Sequence, residues 1–336
     1  PAAGYDAHQI LSPREVKTLP VMVVEVDEKS LAALGRWPWP RTLLAQLVDK
    51  INRHQPAVIG IDVFMPEPDP MDPGRLSKRG EAKAAGYGDN LAATPSHDAV
   101  LARSLAATRT VLPIAGTPAS TGMSMRVPPF AVHQGDTSAE SHSQAMGKLM
   151  RFGGATTSID EINRAASGWG LISVDATGGT VRRVPLTATI GGTMVPAFAV
   201  EMLRVAMGAP SLRLVVAGTS VSGIAIGDRF IATEPDGGVR IHFSPRHAGR
   251  FVSAVDVMED RVDPQSFRGQ MVLVGVNGVS LGDYNNTPLG IAMPGSEIQA
   301  QLLENLLEGS ALIRPSWAPA LEAAVFVLLG GLLVWV

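Results

Sequence analysis

At 336 residues with 46% hydrophobic content, the chain has enough apolar material for one large or two ordinary domains. Its net charge is -3 and its lysines and arginines form no dense run, which excludes a phosphate-backbone partner, so no nucleic acid is expected. The lack of Cys excludes disulfides and thiolate metal sites and does not decide the compartment.

Residues 1–19 read as an N-terminal lead-in. Val21 to Val26 is a β-branched and apolar run, with Glu25 its one polar residue, ending at Asp27, as expected of a strand buried on both faces of a sheet. A turn follows, then a helix with Pro40 at its start and Leu43, Leu44, Leu47, Val48 and Ile51 on one face. Ala57 to Phe64 is a second strand with Asp62 near its end. Strand, helix, strand in this order predicts a parallel pair joined by a right-handed crossover. A helix around Ala99 to Ala107 and a strand at Thr110 to Ile114 come next.

Residues 66–92 and 116–168 are rich in Gly, Pro, Ser and charge and read as long surface insertions. Short β-rich runs at Leu171 to Ile190, Leu212 to Val216, Val221 to Thr233 and Val239 to Phe243 are separated by glycine turns, which suggests antiparallel additions to the sheet. Met271 to Val276 resembles the early strands and should return to their sheet, ahead of a helix from about Gly295 to Leu307.

From Ala323 to Val336 every residue is apolar or Gly. That stretch is shorter than the ~20 residues that span a bilayer, so a buried helix is one reading. Trp317 and Trp335 favour the other, because their separation is roughly 27 Å along a helix, close to the hydrocarbon thickness, with a Trp at each edge. The expected fold class is therefore α/β, with a mainly parallel central sheet, helices on both faces, antiparallel β additions and a C-terminal transmembrane helix starting at about residue 316.

Some of these residues carry a resemblance. The strings Val23 to Glu28, Leu34-Gly35-Arg36-Trp37-Pro38-Trp39-Pro40-Arg41 and Val58 to Phe64 resemble the opening of the second class of CHASE domain, the cyclase and histidine-kinase associated extracellular sensor. Asp175 to Arg183 is similar to a turn of that family, though the usual Asp-Gly before the arginines is loosened here to Asp175-Ala176-Thr177-Gly178-Gly179. Met271 to Gly275, Gly282-Asp283, Thr287-Pro288 and Pro294-Gly295 resemble its closing pattern. The resemblance covers roughly residues 20–315. It implies a periplasmic or extracellular sensor for a small-molecule or protein signal, followed by membrane helices. It also implies a homodimer that controls a cytoplasmic cyclase, kinase or diguanylate cyclase absent from this chain.

Ligands of open α/β sheets bind beyond the carboxyl ends of the strands, where Asp27 and Asp62 lie and which Asp283 should approach. Three converging carboxylates there would suit a divalent cation or a ligand bearing positive charge or hydroxyls. The plainer reading is that each caps a helix or turn. Close carboxylates need compensation, for which Arg36 and Arg41 are nearest in sequence. Trp37 and Trp39 have two readings as well: a stiff Trp-Pro anchor, or, with the arginines, part of a ligand site. No two of the seven histidines have helical metal-ligand spacing. The function expected is extracytoplasmic signal reception. The alternatives are a membrane-anchored carboxylate-metal hydrolase built on Asp27, Asp62 and Asp283, and an assembly domain that pairs with its own copy.

Overall fold

A computed structural model describes residues 2–76, 94–120, 130–133, 138–175, 177–278, 284–314 and 317–335. Its centre is a seven-stranded sheet. Five strands run in the spatial order Phe251–Ser253, Val21–Val26, Met271–Val276, Val58–Asp62 and Thr110–Thr117, all parallel. Gly168–Leu171 pairs parallel with Thr110–Thr117, and Gly154–Thr156 pairs antiparallel with the end of the same strand. The first two predicted strands are thus separated by the one that returns late in the chain.

Strand alternation sorts the side chains into two layers. Val21, Val23, Val58, Val111, Met271 and Leu273 join one apolar core with the helices Phe198–Ala206 and Gly295–Glu308. Met22, Val24, Ile59, Ile61, Leu112, Val272 and Val274 join the other, under Arg41–Arg53, His97–Ala106 and Ala254–Met258. Helices therefore cover both faces, as a parallel sheet requires. Pro40 sits one residue outside its helix as the cap, not as the first helical residue.

The first layer approaches the sheet closely because the sheet presents glycines to it. A Cβ on Gly170 would lie 2.4 Å from the Phe198 Cα, and one on Gly275 would lie 2.5 Å from the Ser296 Cβ.

Three expectations need correction. The β-rich runs do not extend the central sheet; they form separate sheets, among them Arg229–Ala232, Ser220–Ile226, Leu212–Ala217 and Phe130–His133 in that order. Adjacent hairpin strands satisfy one another's hydrogen bonds, and Leu212, Leu214, Ile224 and Ile226 still reach the first core. Residues 116–168 are not simply a surface insertion. They hold the helices Ala139–Gly147 and Asp160–Ala165 and bury Ala145, Leu149, Ala155 and Ile162, in elements too short to show a period. Of 66–92, the described part turns around two buried aspartates, Asp69 and Asp72.

The lead-in is also structured: Ala2–Leu11 is helical. Arg182 holds Asp6 at 2.7 Å, and Gln9 Oε1 accepts the Phe243 N–H at 2.8 Å. The Arg182 hydrogen bond keeps the Asp6 carboxyl below its usual range.

At the other end, Ala318–Trp335 is a helix, but no helix among the described residues is long and apolar enough to cross a membrane. The C-terminal transmembrane helix expected above is thus not shown.

Candidate functional site at the carboxyl edge of the sheet

Register places Glu25 opposite Gly275 and Gly275 opposite Asp62, so the two carboxylates flank a glycine in one cross-strand row. They are two strand spacings apart, about 10 Å. By alternation all three face the layer of Phe198–Ala206 and Gly295–Glu308. The acid expected to partner Asp62 was Asp27. The acid that shares its row is Glu25, which lies inside a strand and gave no end-of-strand signal.

Asp27 caps. Its Oδ1 accepts the Ser30 N–H at 2.8 Å, the Ser30 hydroxyl at 2.6 Å and the Ser253 hydroxyl at 2.8 Å, tying the helix Glu28–Leu34 to the edge strand. Asp27→Ala is expected to lower stability by about 1 kcal/mol, the usual cost of a lost N-cap. Denaturant unfolding would read this, and an unchanged midpoint would remove the capping role.

Asp62 lies between two cavities. One, of about 380 Å³, is lined by Trp37, Trp39, Arg41, Asp62, Phe64 and Met71. Four of the predicted site residues therefore meet. Their settings differ: Trp39 is 2% exposed and donates its indole N–H to the Gly35 carbonyl at 2.8 Å, whereas Trp37 is half-buried, its ring 5.8 Å from that of Trp39. Arg36 is exposed. Arg41 is engaged by the 66–72 turn and by Asp98. Its backbone N–H donates to Asp69 at 2.8 Å, and its Nε lies 3.5 Å from Asp98. Burial pushes the Asp98 carboxyl up and lowers the Arg41 guanidinium from its usual value. Arg41 thus fastens the 66–72 turn. Asp283 lies outside the described residues. Among the described residues no group of three or more His, Asp or Glu is placed to hold a metal.

The second cavity, about 430 Å³, opens on the other face of the sheet. Asp62, Ser173, Asn277, Asn285, Ser296 and Gln299 supply its polar lining, and Phe64, Ile172, Val174 and Ile298 are among its apolar walls. It sits over the start of Gly295–Glu308, where Pro294 offers no side-chain cap. Asn277 ties the rim together, donating to Glu25 at 2.7 Å and accepting the Ser296 hydroxyl at 3.1 Å.

Behind this rim runs a chain of charges that sequence reading missed, buried at Glu297, Arg250, Glu304 and Arg14 and exposed at Arg246 and Glu308. Arg246 bridges Glu25 at 2.8 Å and Glu297 at 2.7 Å. Arg250, fully buried, holds Glu304 at 2.9 Å, and Arg14 also pairs with Glu304 and lies 3.0 Å from Glu308. Burial raises the Glu297 carboxyl, against the pull of Arg246. The only signal in the sequence was the polar stripe Glu297, Gln301, Glu304, Asn305 and Glu308 on one helix face, which normally marks a solvated side.

Glu25, Asp62 and the Trp-Pro string lie in the segments that carried the resemblance, as does most of the strand Met271–Val276. Comparison with curated proteins and with solved structures gave no match. The CHASE2 domain family model matches residues 2–336, so the chain belongs to the CHASE2 family of extracellular sensor domains.

Proposed function

We propose that this chain is the receiving part of a transmembrane receptor. The α/β domain lies in the periplasm or outside the cell and takes up a small-molecule or protein signal at the carboxyl edge of its sheet. The terminal helix enters the membrane and passes the signal, in a homodimer, to a cytoplasmic cyclase, kinase or diguanylate cyclase that is not in this chain.

The observation that carries this reading, beside the family, is the surface of Ala318–Trp335. Leu321, Phe326, Val327 and Leu328 are 53%, 79%, 69% and 72% exposed, and Glu322, near the start of the helix, is its one charged residue. A helix that is apolar on every side belongs in a core or in lipid. The path to it is short. Gly295–Glu308 begins at the cavity and ends at Gly309, Leu312 then bridges to Arg240, and Arg314 meets Glu322 on the terminal helix.

Flotation with liposomes tests the reading. The whole chain is expected to float, and a chain ending at Arg314 to remain in the aqueous phase. Because the sequence has no Cys, Phe326→Cys supplies a single thiol that should cross-link two copies in the bilayer. A full chain that stays in solution would sink the proposal.

A further inference from the structure

The signal has a chemistry that the second cavity specifies. We propose that it takes a small apolar α-amino acid, with the carboxylate at the start of Gly295–Glu308 and the amine on Gln299 and Asp62; this rests on the sensor reading above.

Three observations converge. First, a helix of 14 residues starts at the cavity without a side-chain cap, so its leading N–H groups and the positive end of its dipole favour an anionic group. Glu297, the acid of that first turn, is occupied by Arg246. Second, Gln299 is 3% exposed and lines the cavity, yet its Oε1 has no hydrogen-bond partner. A buried acceptor left unpaired is costly, and a donor brought by a ligand removes that cost. Helical side chains lean toward the N-terminus, so Gln299, one turn into the helix, addresses the same end of the cavity as the free N–H groups. Third, Asp62 reaches the cavity from the sheet and adds a carboxylate.

The site thus asks for an anionic group and a donor of positive character close together, which the adjacent carboxylate and ammonium of an α-amino acid supply. The remaining walls, Phe64, Ile172, Val174 and Ile298, suit an apolar side chain. The volume, about 430 Å³, lies within the range of small-ligand pockets. Gly275 keeps the arrangement open, because any larger residue there would displace Ser296 at the helix start.

The test is a ligand-dependent melt of the whole chain in detergent, with L-leucine as the probe. Two fragments serve as controls: 4-methylpentanoate, which lacks the amine, and isoamylamine, which lacks the carboxylate. Leucine at millimolar concentration is expected to raise Tm, and neither fragment to do so at the same concentration. Gln299→Met and Asp62→Asn should each weaken leucine at least about tenfold. No shift with leucine overturns the proposal, as does a fragment that works equally well or a folded Gln299→Met chain that binds unchanged. If both variants fail to fold, the comparison of leucine with its fragments on the native chain decides. Failure here with intact flotation and cross-linking would remove the ligand class and leave the receptor reading standing.

Discussion

Glu304→Leu is expected to cost about 3–5 kcal/mol, because it leaves two buried guanidiniums without their shared carboxylate. Arg250 is fully buried and Arg14 is 5% exposed, and both address Glu304. Arg250 would then keep the Ser244 hydroxyl, 3.4 Å away, and Glu297, 3.7 Å away. Removing a charged partner in such a setting costs far more than the pair itself contributes, since the desolvation of the remaining ion is no longer offset. The double variant Arg250→Met with Glu304→Leu should therefore recover part of the loss, because it exchanges a buried pair for apolar volume. Urea unfolding of the chain in detergent measures both. A single variant within about 1 kcal/mol of the native chain would show that water reaches this network and that the helix Gly295–Glu308 is not held as described.

The two tryptophans of the Trp-Pro string should separate in the same assay. Trp39→Ala is expected to cost about 3–5 kcal/mol, the penalty for deleting a large aromatic from a packed site. It belongs to the second core and also closes the turn through its hydrogen bond to Gly35. Trp37 is only partly buried against that core, so Trp37→Ala should fall nearer 1–2 kcal/mol, within the common range for partial burial. Equal losses would mean that the string acts as one anchor, and that the cavity beside Trp37 is a by-product of packing.

The first expectation bears on the proposed signal path. The charges on Glu304 and Glu308 join the lead-in, through Arg14, to the helix that starts at the second cavity, and the chain runs from the end of that helix to Arg314, which pairs with Glu322 on the terminal helix.

Much of the architecture is local and was therefore legible. Val21–Val26 and Met271–Val276 are short and rich in valine, with Glu25 the one charged residue, and such runs have few alternatives to a strand covered on both faces. The helix Arg41–Arg53 announces itself by its apolar stripe and by Pro40. The family too was legible, because the Trp-Pro string and the acids after the strands are contiguous in the chain.

What tertiary structure alone decided was pairing and burial. Sequence placed Asp27 and Asp62 at strand ends, but the insertion of Met271–Val276 between their strands, and the Ser253 hydroxyl that donates to Asp27, depend on residues more than 200 positions away. The polar stripe Glu297, Gln301 and Glu304 is of the kind that normally marks a wet helix face. It is dry because Arg246, Arg250 and Ser244 come back from a distant loop to meet it. A periodic pattern reports which residues share a face of an element, and only the packed fold determines what that face meets.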